Sequence, residues 1–488
     1  MDNSNTTHIK REVLVRLIKA FVNQEMNTLD KIPFEMRPKN AEVPYRCCIY
    51  KERAILRQRT IASLGMSVED DDEITSINEY GNKAVHREKP DEKILTVVET
   101  ACKGCVPSRV YVTELCQGCV ARPCISTCKF GAIQIKDGKS VIDGDKCKNC
   151  GMCMNVCPYS AIVRIKVPCE DACPVGAIAK NEYGHAEIDF DKCISCGACV
   201  GACPFAAVHE KSQVIDILKE MKAGKRVVAM VAPSVVGQLP FSINKIAQGL
   251  IQSGFAEVFE VAYGADVTAR TEAEDFKERM EDGQEFMTTS CCAAYNELVD
   301  KHIPEMKPFR SETRTPMHYT AKIVKERYPD AVTVFVGPCV AKRKEGQKDE
   351  YTDYVMNFEE MGALFVAFNL EIGNLEDYHF ADEASKEGKN FAITGGVAES
   401  VKVALKDFPE LYPTCVNGLN PKSVRDLKNW AKKGVCPEGN LVEIMACEGG
   451  CVAGSACLNN KRITTKKVHE YADQAKCIND LECEVQKK

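Results

Sequence analysis

Apolar positions recur at helical spacing from Val13 to Val22 and again from Tyr50 to Ser63, which predicts two amphipathic helices. A polar, partly acidic stretch containing Glu69 to Glu73 follows. Residues 1–100 therefore read as an N-terminal helical segment that docks on or covers a neighbouring domain. From about residue 211 the pattern changes. Residues 227–232 are continuously apolar, as in a strand buried on both faces, and Ile243 to Ile251 has the period of an amphipathic helix. Residues 257–262 and 331–336 predict further strands, each near a helical stretch (265–280 and 318–328), and Gly395-Gly396 suits the start of a helix over 397–405. Strand and helix alternate, so residues 211–488 are expected to form an α/β domain with at least one mostly parallel sheet. Ligands of such sheets bind beyond the carboxyl ends of the strands.

Between these regions, residues 101–210 show no long element. Short alternating strands (Val141-Ile142, Ala186 to Ile188) are spaced by cysteines, 16 of the chain's 28. Cys147, Cys150, Cys153 and Cys157-Pro158 form a complete CxxCxxCxxxCP run, and Cys193, Cys196, Cys199 and Cys203-Pro204 repeat it. Cys169 and Cys173-Pro174 are the tail of a third run; Cys116, Cys119, Cys124 and Cys128 make a fourth with a longer internal step. This is the internal repeat of an α+β, ferredoxin-like iron–sulfur domain. In two-cluster folds of this kind the last cysteine of one run ligates the other run's cluster. The rule groups Cys116, Cys119, Cys124 and Cys157; then Cys147, Cys150, Cys153 and Cys128; then Cys193, Cys196, Cys199 and Cys173. Cys169 and Cys203 are left over, and the pair Cys102 and Cys105 completes a fourth set, so three to four 4Fe–4S clusters are expected. Zinc is the competing reading, but structural zinc sites lack this interleaved pattern.

Length and charge narrow the picture further. A chain of 488 residues exceeds one compact core, and three domains are expected: 1–100, 101–210 and 211–488. No apolar run approaches membrane-spanning length, and the polar N-terminus has no signal-peptide core, so the chain is expected to be cytoplasmic with no membrane contact. Cysteines this dense are then metal ligands rather than disulfides. A net charge of −6 without a basic stripe argues against nucleic acid, and the eight histidines show no metal-ligand spacing.

In the α/β region, cysteines recur in three separated phrases: Thr289-Ser290-Cys291-Cys292, Gly337-Pro338-Cys339-Val340-Ala341-Lys342, and Glu443 to Cys451 with Met445, Cys447 and Gly449-Gly450 inside it. Setting Cys291 aside leaves four thiolates, the number that holds a cubane. With these phrases in this order behind a ferredoxin module, residues 101–460 resemble an iron-only ([FeFe]) hydrogenase. The resemblance is to a variant, group B-like branch. Ala293 follows Cys292 where proline is usual, Gly337 stands where many relatives have methionine, and the third motif ends Gly454-Ser455-Ala456-Cys457 instead of in a glycine run.

The resemblance implies a two-lobed catalytic domain holding an H-cluster: a 4Fe–4S cubane on Cys292, Cys339, Cys447 and Cys451. Cys451 would also bridge to a two-iron unit carrying carbonyl, cyanide and dithiolate-amine ligands. It implies that Lys342 donates to one cyanide, that Ala232, Pro233 and Ser234 offer donors to the other, and that Phe391 and Met445 line the wall. For Lys342 the competing reading is a solvated loop lysine, for Phe391 and Met445 core packing, and for Ser234 a turn cap. Cys291 would be the general acid/base beside the open iron, reloaded by helix carboxylates, with Asp275 and Glu278 as candidates. The implied activity is reversible proton reduction to dihydrogen, with electrons exchanged with a ferredoxin or flavodoxin and the two-iron unit inserted by maturation proteins. A low-turnover hydrogen-sensing relative and an iron–sulfur assembly or carrier protein are the alternatives. Cys47, Cys48, Cys415, Cys436, Cys457, Cys477 and Cys483 join no ligand set.

Overall fold

The computed structural model describes residues 5–40, 44–102, 104–106, 109–406, 408 and 410–481; Cys483 lies outside them. Helix α1 (Asn5–Val22) starts eight residues before the apolar pattern does, and Lys10 and Arg11 of that added stretch pair with Glu359 of the α/β region. Helices α2 (Ile49–Ser63) and α3 (Ile77–His86) follow, the latter capped by the Ser76 hydroxyl accepting from the Glu79 N–H. These helices do not form a body of their own. One apolar core runs from Val13, Leu17 and Ile61 through Cys102, Cys169 and Val208 to Val227 and Val231 of the first long strand. Side chains from both sides of residues 100 and 210 fill it together.

The cysteine-rich region is two copies of one design, and one copy is inserted into the other. In the first, Arg109–Val112 pairs antiparallel with Ile162–Ile165, around a hairpin of Ile133–Lys136 and Lys139–Ile142. In the second, Leu95–Val97 pairs antiparallel with Val208–Glu210, around a hairpin of Ile178–Lys180 and Ala186–Ile188. The second copy therefore begins at residue 95. Its first cysteine run starts at Cys102 and Cys105, is interrupted by the whole of the first copy, and resumes at Cys169 and Cys173. The inserted copy keeps a small core of its own around Val110, Ile133 and Ile162.

Two parallel sheets make the two lobes of the remaining domain. The first contains β1 (Val227–Val231), β2 (Glu257–Glu260), β4 (Val332–Gly337) and β5 (Tyr354–Asn357), in the spatial order β2-β1-β4-β5. The second has the order β3-β7-β6, from β3 (Met287–Thr288), β6 (Pro413–Asn417) and β7 (Leu441–Met445). Strands β1, β4 and β7 are buried along their whole length, which explains the continuous apolar run of β1 and the apolar runs of β4 and β7, broken only by Thr333 and Glu443. Residues 261 and 262, expected at a strand end, instead open helix α4 (Val261–Glu281). The functional phrases all leave the carboxyl ends of strands: Ala232 after β1, Thr289 after β3, Pro338 after β4 and Ala446 after β7.

Candidate metal centre

The four accessory sets share one local construction. In each module the cysteine preceding proline, or its counterpart Cys128, receives a backbone N–H from four residues on: Ala132 to Cys128 and Ala161 to Cys157 at 3.4 Å, Ala177 to Cys173 at 3.2 Å, and Ala207 to Cys203 at 3.3 Å. Inside the complete runs, Asn149 and Gly151, and likewise Ser195 and Gly197, take the left-handed backbone that curls three cysteines around one point. In the inserted module one cavity is lined by Cys116, Cys119, Cys124 and Cys157, and another by Cys128, Cys147, Cys150 and Cys153. In the outer module, burial and then the nearby Cys203 and Cys102 push the Cys169 thiol up to about 11, and Cys105 feels the same two neighbours. Burial and the nearby Cys193 and Cys173 push Cys196 up to about 12. The outer module thus brings together Cys102, Cys105, Cys169 and Cys203, and separately Cys173, Cys193, Cys196 and Cys199.

At the strand ends, an apolar cavity of about 90 Å³ lies between the two lobes. Cys291, Cys292, Cys339 and Cys451 line it, as do Ala232, Pro233 and Ser234, with Lys342, Phe391 and Met445 completing the wall. Cys447 stands just behind: burial raises its thiol, and Cys339, Cys292 and Cys451 are its nearest charged neighbours. Burial and then Cys292 push Cys339 up to about 11. Thiols so placed favour the protonated form until a cation compensates them, which is the condition for a metal-bound thiolate. Among the described residues no three His, Cys, Asp or Glu side chains close tightly enough to chelate one metal ion. The thiols instead surround cavities, and a cubane distributes its four ligands in this way.

Two further observations fit a polar group held in this cavity. Ser234 Oγ is fully buried and has no protein hydrogen-bond partner, so it does not serve as a turn cap. The buried Lys342 ammonium faces the cavity as well. Burial works against its charge, but the Glu345 carboxylate, at 2.8 and 3.0 Å from Nζ, outweighs that and holds it above the ordinary lysine value. Glu345 also accepts from the Thr315 hydroxyl. It is the positioning partner that reading the phrase alone missed, three residues beyond the lysine on the same helical turn.

The carboxylates near Cys291 differ from those expected. Glu278 is exposed on α4, about 120° around the helix from the buried Glu272. Glu272, one and two-thirds turns earlier, is fully buried and accepts the Ser290 N–H at 3.2 Å. Burial pushes Glu272 up to about 8, and Glu272 is the first charged neighbour of the Cys291 thiol, which burial also drives upward. Asp275 does lie on this face. It accepts from the Ser311 hydroxyl at 2.8 Å and from Arg279 Nε at 2.5 Å, and Ser311 is also a neighbour of Glu272. Cys291, Glu272, Ser311, Asp275 and Arg279 thus form a row from the cavity to partly exposed positions. The period-3.6 pattern of α4 held the signal, since Glu272 falls in step with Ala265, Ala269 and Phe276 of the buried face.

The departures from the motif pattern are compensated by packing. A side chain at Gly337 would collide with the Phe335 ring, which already lines the cavity. Ala293 separates the apolar cavity from a polar cleft of about 530 Å³ that also reaches Ser290, Ser311 and Glu345. Cys457 donates to the Val452 carbonyl, and Gln238 Nε2 approaches its sulfur at 3.6 Å while bonding the Ser234 carbonyl. Cys436 is buried in the second lobe's core and Cys415 is exposed on β6.

Residues 225–455 match the family model described as iron only hydrogenase large subunit, C-terminal domain, and residues 140–163 and 186–209 each match a 4Fe-4S binding domain. Iron hydrogenase 1 of Clostridium pasteurianum is 29% identical over 301 residues, which span 50% of this chain and 52% of that protein. The periplasmic [Fe] hydrogenase large subunit of Nitratidesulfovibrio vulgaris is 26% identical over 304 residues, 50% of this chain and 72% of that protein. The chain thus spans about half the length of the first of these relatives. An apo [FeFe]-hydrogenase structure from Chlamydomonas reinhardtii aligns with a TM-score of 0.44 at 20% identity, covering 55% of this chain and 92% of that one.

Proposed function

Because residues 225–455 match the iron-only hydrogenase large-subunit family model, we propose that this protein interconverts protons and electrons with dihydrogen at an H-cluster. Cys292, Cys339, Cys447 and Cys451 would hold the cubane, and Lys342, Ser234 and the Ala232-Pro233 backbone line the cavity that would hold the two-iron unit. When bound, that unit supplies the metal centre at which protons and electrons combine. The observation that carries the reading is a single apolar cavity lined by Cys291, Ser234 and Lys342 together with three of the four cubane cysteines.

The protein's own part is to handle protons and exclude water. Cys291, nine-tenths buried, holds its proton on Sγ at the cavity wall. Transfer from the thiol leaves a thiolate that Glu272 reprotonates, since a carboxyl pushed to about 8 carries a proton at neutral pH. Ser311 and Asp275 pass the replacement inward from the Arg279 end. Lys342, fixed by Glu345, keeps a positive charge at the cavity without being a proton source, because its pKa lies above the ordinary lysine value. Phe391, Met445 and Phe335 keep the cavity dry.

Electrons arrive through the ferredoxin-like modules. Cys196 is a neighbour of Cys292 and Cys447, so the set containing Cys173, Cys193 and Cys199 is the last station before the cubane. The external carrier is a ferredoxin or flavodoxin, and maturation proteins insert the two-iron unit. Turnover measured in both directions on matured protein tests the proposal. Hydrogen evolution from a reduced dye and hydrogen-dependent dye reduction are both expected, and absence of both would leave an iron–sulfur carrier role.

A further inference from the structure

The N-terminal segment carries an unusual surface just above one of the cysteine sets. Phe34, Tyr45 and Tyr50 are each more than half exposed and stand close together, held by the same pair of arginines. Arginines hold all three in place. Arg53 lies over Phe34 at 4.8 Å and Tyr50 at 6.0 Å, and Arg37 lies over Tyr45 at 5.1 Å. The two arginines are joined, since Arg53 Nε donates to the Arg37 carbonyl at 2.8 Å. The carboxylates nearest this face are engaged: Glu52 is buried and bonds Arg37, and Glu35 bonds Arg16. Glu52 neutralises Arg37, so the positive charge of this aromatic face comes from Arg53 and Arg46, whose guanidinium groups bond backbone carbonyls, on a chain whose net charge is −6.

Arg46 ties this face to the iron–sulfur module below. Its guanidinium stacks over Phe205 at 4.8 Å, and Nη2 donates to the Ala101 carbonyl at 3.2 Å. Ala101 precedes Cys102, and Phe205 follows Cys203-Pro204. The Phe205 ring also closes over Gly104, between Cys102 and Cys105, where a β-carbon would stand 2.9 Å from it. Cys102 and Cys169 are buried in the core beneath, with Cys105 and Cys203 packed against it. The fourth cysteine set therefore lies directly under the arginine–aromatic face.

We propose that Cys102, Cys105, Cys169 and Cys203 bind a 4Fe–4S cluster and that the arginine–aromatic face above them is the docking surface for an acidic one-electron carrier protein. The carrier is identified by charge complementarity: a negative surface is steered to the arginines, while Tyr50, Tyr45 and Phe34 supply the flat apolar contact typical of interface centres. One electron crosses from the carrier to this cluster at each encounter, reducing the cluster and oxidising the carrier, with no bond made or broken. The proposal rests on the hydrogenase reading for the direction in which electrons continue, but not for docking itself.

The test uses full-length protein with its accessory clusters and follows their bleaching after rapid mixing with a reduced acidic [2Fe–2S] ferredoxin. Tyr50→Ser combined with Arg53→Glu is expected to lower the second-order rate by about tenfold at low salt and to flatten its salt dependence. Reduction by a small dye, which needs no docking surface, is expected to stay the same. Cys102→Ser with Cys105→Ser is expected to remove one cluster's iron and to slow reduction by ferredoxin. An unchanged ferredoxin rate in the surface variant, or unchanged iron in the cysteine variant, overturns the proposal. So does a slowing caused instead by Lys148→Glu beside Cys150 on the inserted module. Hydrogen turnover does not enter these readouts, so failure of the hydrogenase reading and failure of the port are distinguishable.

Discussion

The accessory cluster sites and the strand-end cavity solve the same problem, gathering four thiolates, by opposite means. The inserted ferredoxin module takes its ligands from neighbouring turns and fixes the last sulfur of each run, Cys128 and Cys157, with a backbone N–H four residues on. It stays close to solvent, with Cys150 exposed. The cavity takes one cysteine each from the ends of β3 and β4 and two from beyond β7, in two different sheets, and holds them half-buried around an apolar space. A local site survives as long as its own turns do. A site assembled from distant strands depends on the packing of the whole domain, and in return it obtains an apolar cavity with one thiol and one lysine at its wall and a buried carboxyl, Glu272, behind the thiol.

This contrast is broken most sharply by ligand substitution. Cys451→Ser should eliminate the cavity's cubane and with it all hydrogen turnover, while iron analysis finds the accessory clusters retained. Cys150→Ser should cost one accessory cluster and leave the cavity's cluster detectable by electron paramagnetic resonance. Next in size is Cys291→Ala, which removes the thiol but no ligand. Turnover should fall by about 10²–10⁴-fold, with iron content and the cubane signal unchanged.

Glu272→Gln should act more weakly, lowering turnover by about 10²-fold because water still reaches Ser311 through the polar cleft. Its pH dependence carries the sign. The folded carboxyl titrates at about 8 instead of the ordinary 4.5, so proton delivery in the parent protein should decline as pH rises through 8, and the variant should lose that limb. Stability follows the same linkage. Below pH 4.5 the carboxyl is neutral in both states. Between 4.5 and 8 the unfolded chain ionises while the folded one resists, so the acid increasingly favours unfolding. Thermal melts should show the variant gaining on the parent across that window. The smallest effect is expected where the two kinds of site meet. Gly197 has φ +75° and a β-carbon there would stand 2.6 Å from Ser455 Oγ. Gly197→Ala should cost about 1 kcal/mol in chemical denaturation and slow reduction of the cubane without removing a cluster.

The sequence made these two kinds of site legible to different depths. Ligands three residues apart on one turn announce their grouping, and Cys116, Cys119, Cys124 and Cys157 do line one cavity. The insertion of one ferredoxin module into the other was hidden, because Leu95–Val97 carries no cysteine and finds its partner, Val208–Glu210, across the whole inserted module. In the catalytic domain the strand-end phrases were readable, and the alternation of strand and helix gave the parallel sheets. Choosing Glu272 over Glu278 required the phase of α4 against Ser290, which is a tertiary contact. The Lys342–Glu345 pair and the Phe335 ring over Gly337 were likewise settled by packing. The N-terminal helices looked separable because amphipathic periodicity reveals an apolar face but not the surface it covers.

The central claim is that one cavity holds a two-iron unit, with Lys342 facing one of its ligands, and infrared spectroscopy of matured protein tests it most directly. Bands from iron-bound carbonyl and cyanide are expected, with the cyanide bands shifting in Lys342→Ala while cubane iron is retained. A matured protein without those bands, or cyanide bands indifferent to Lys342, would contradict the account.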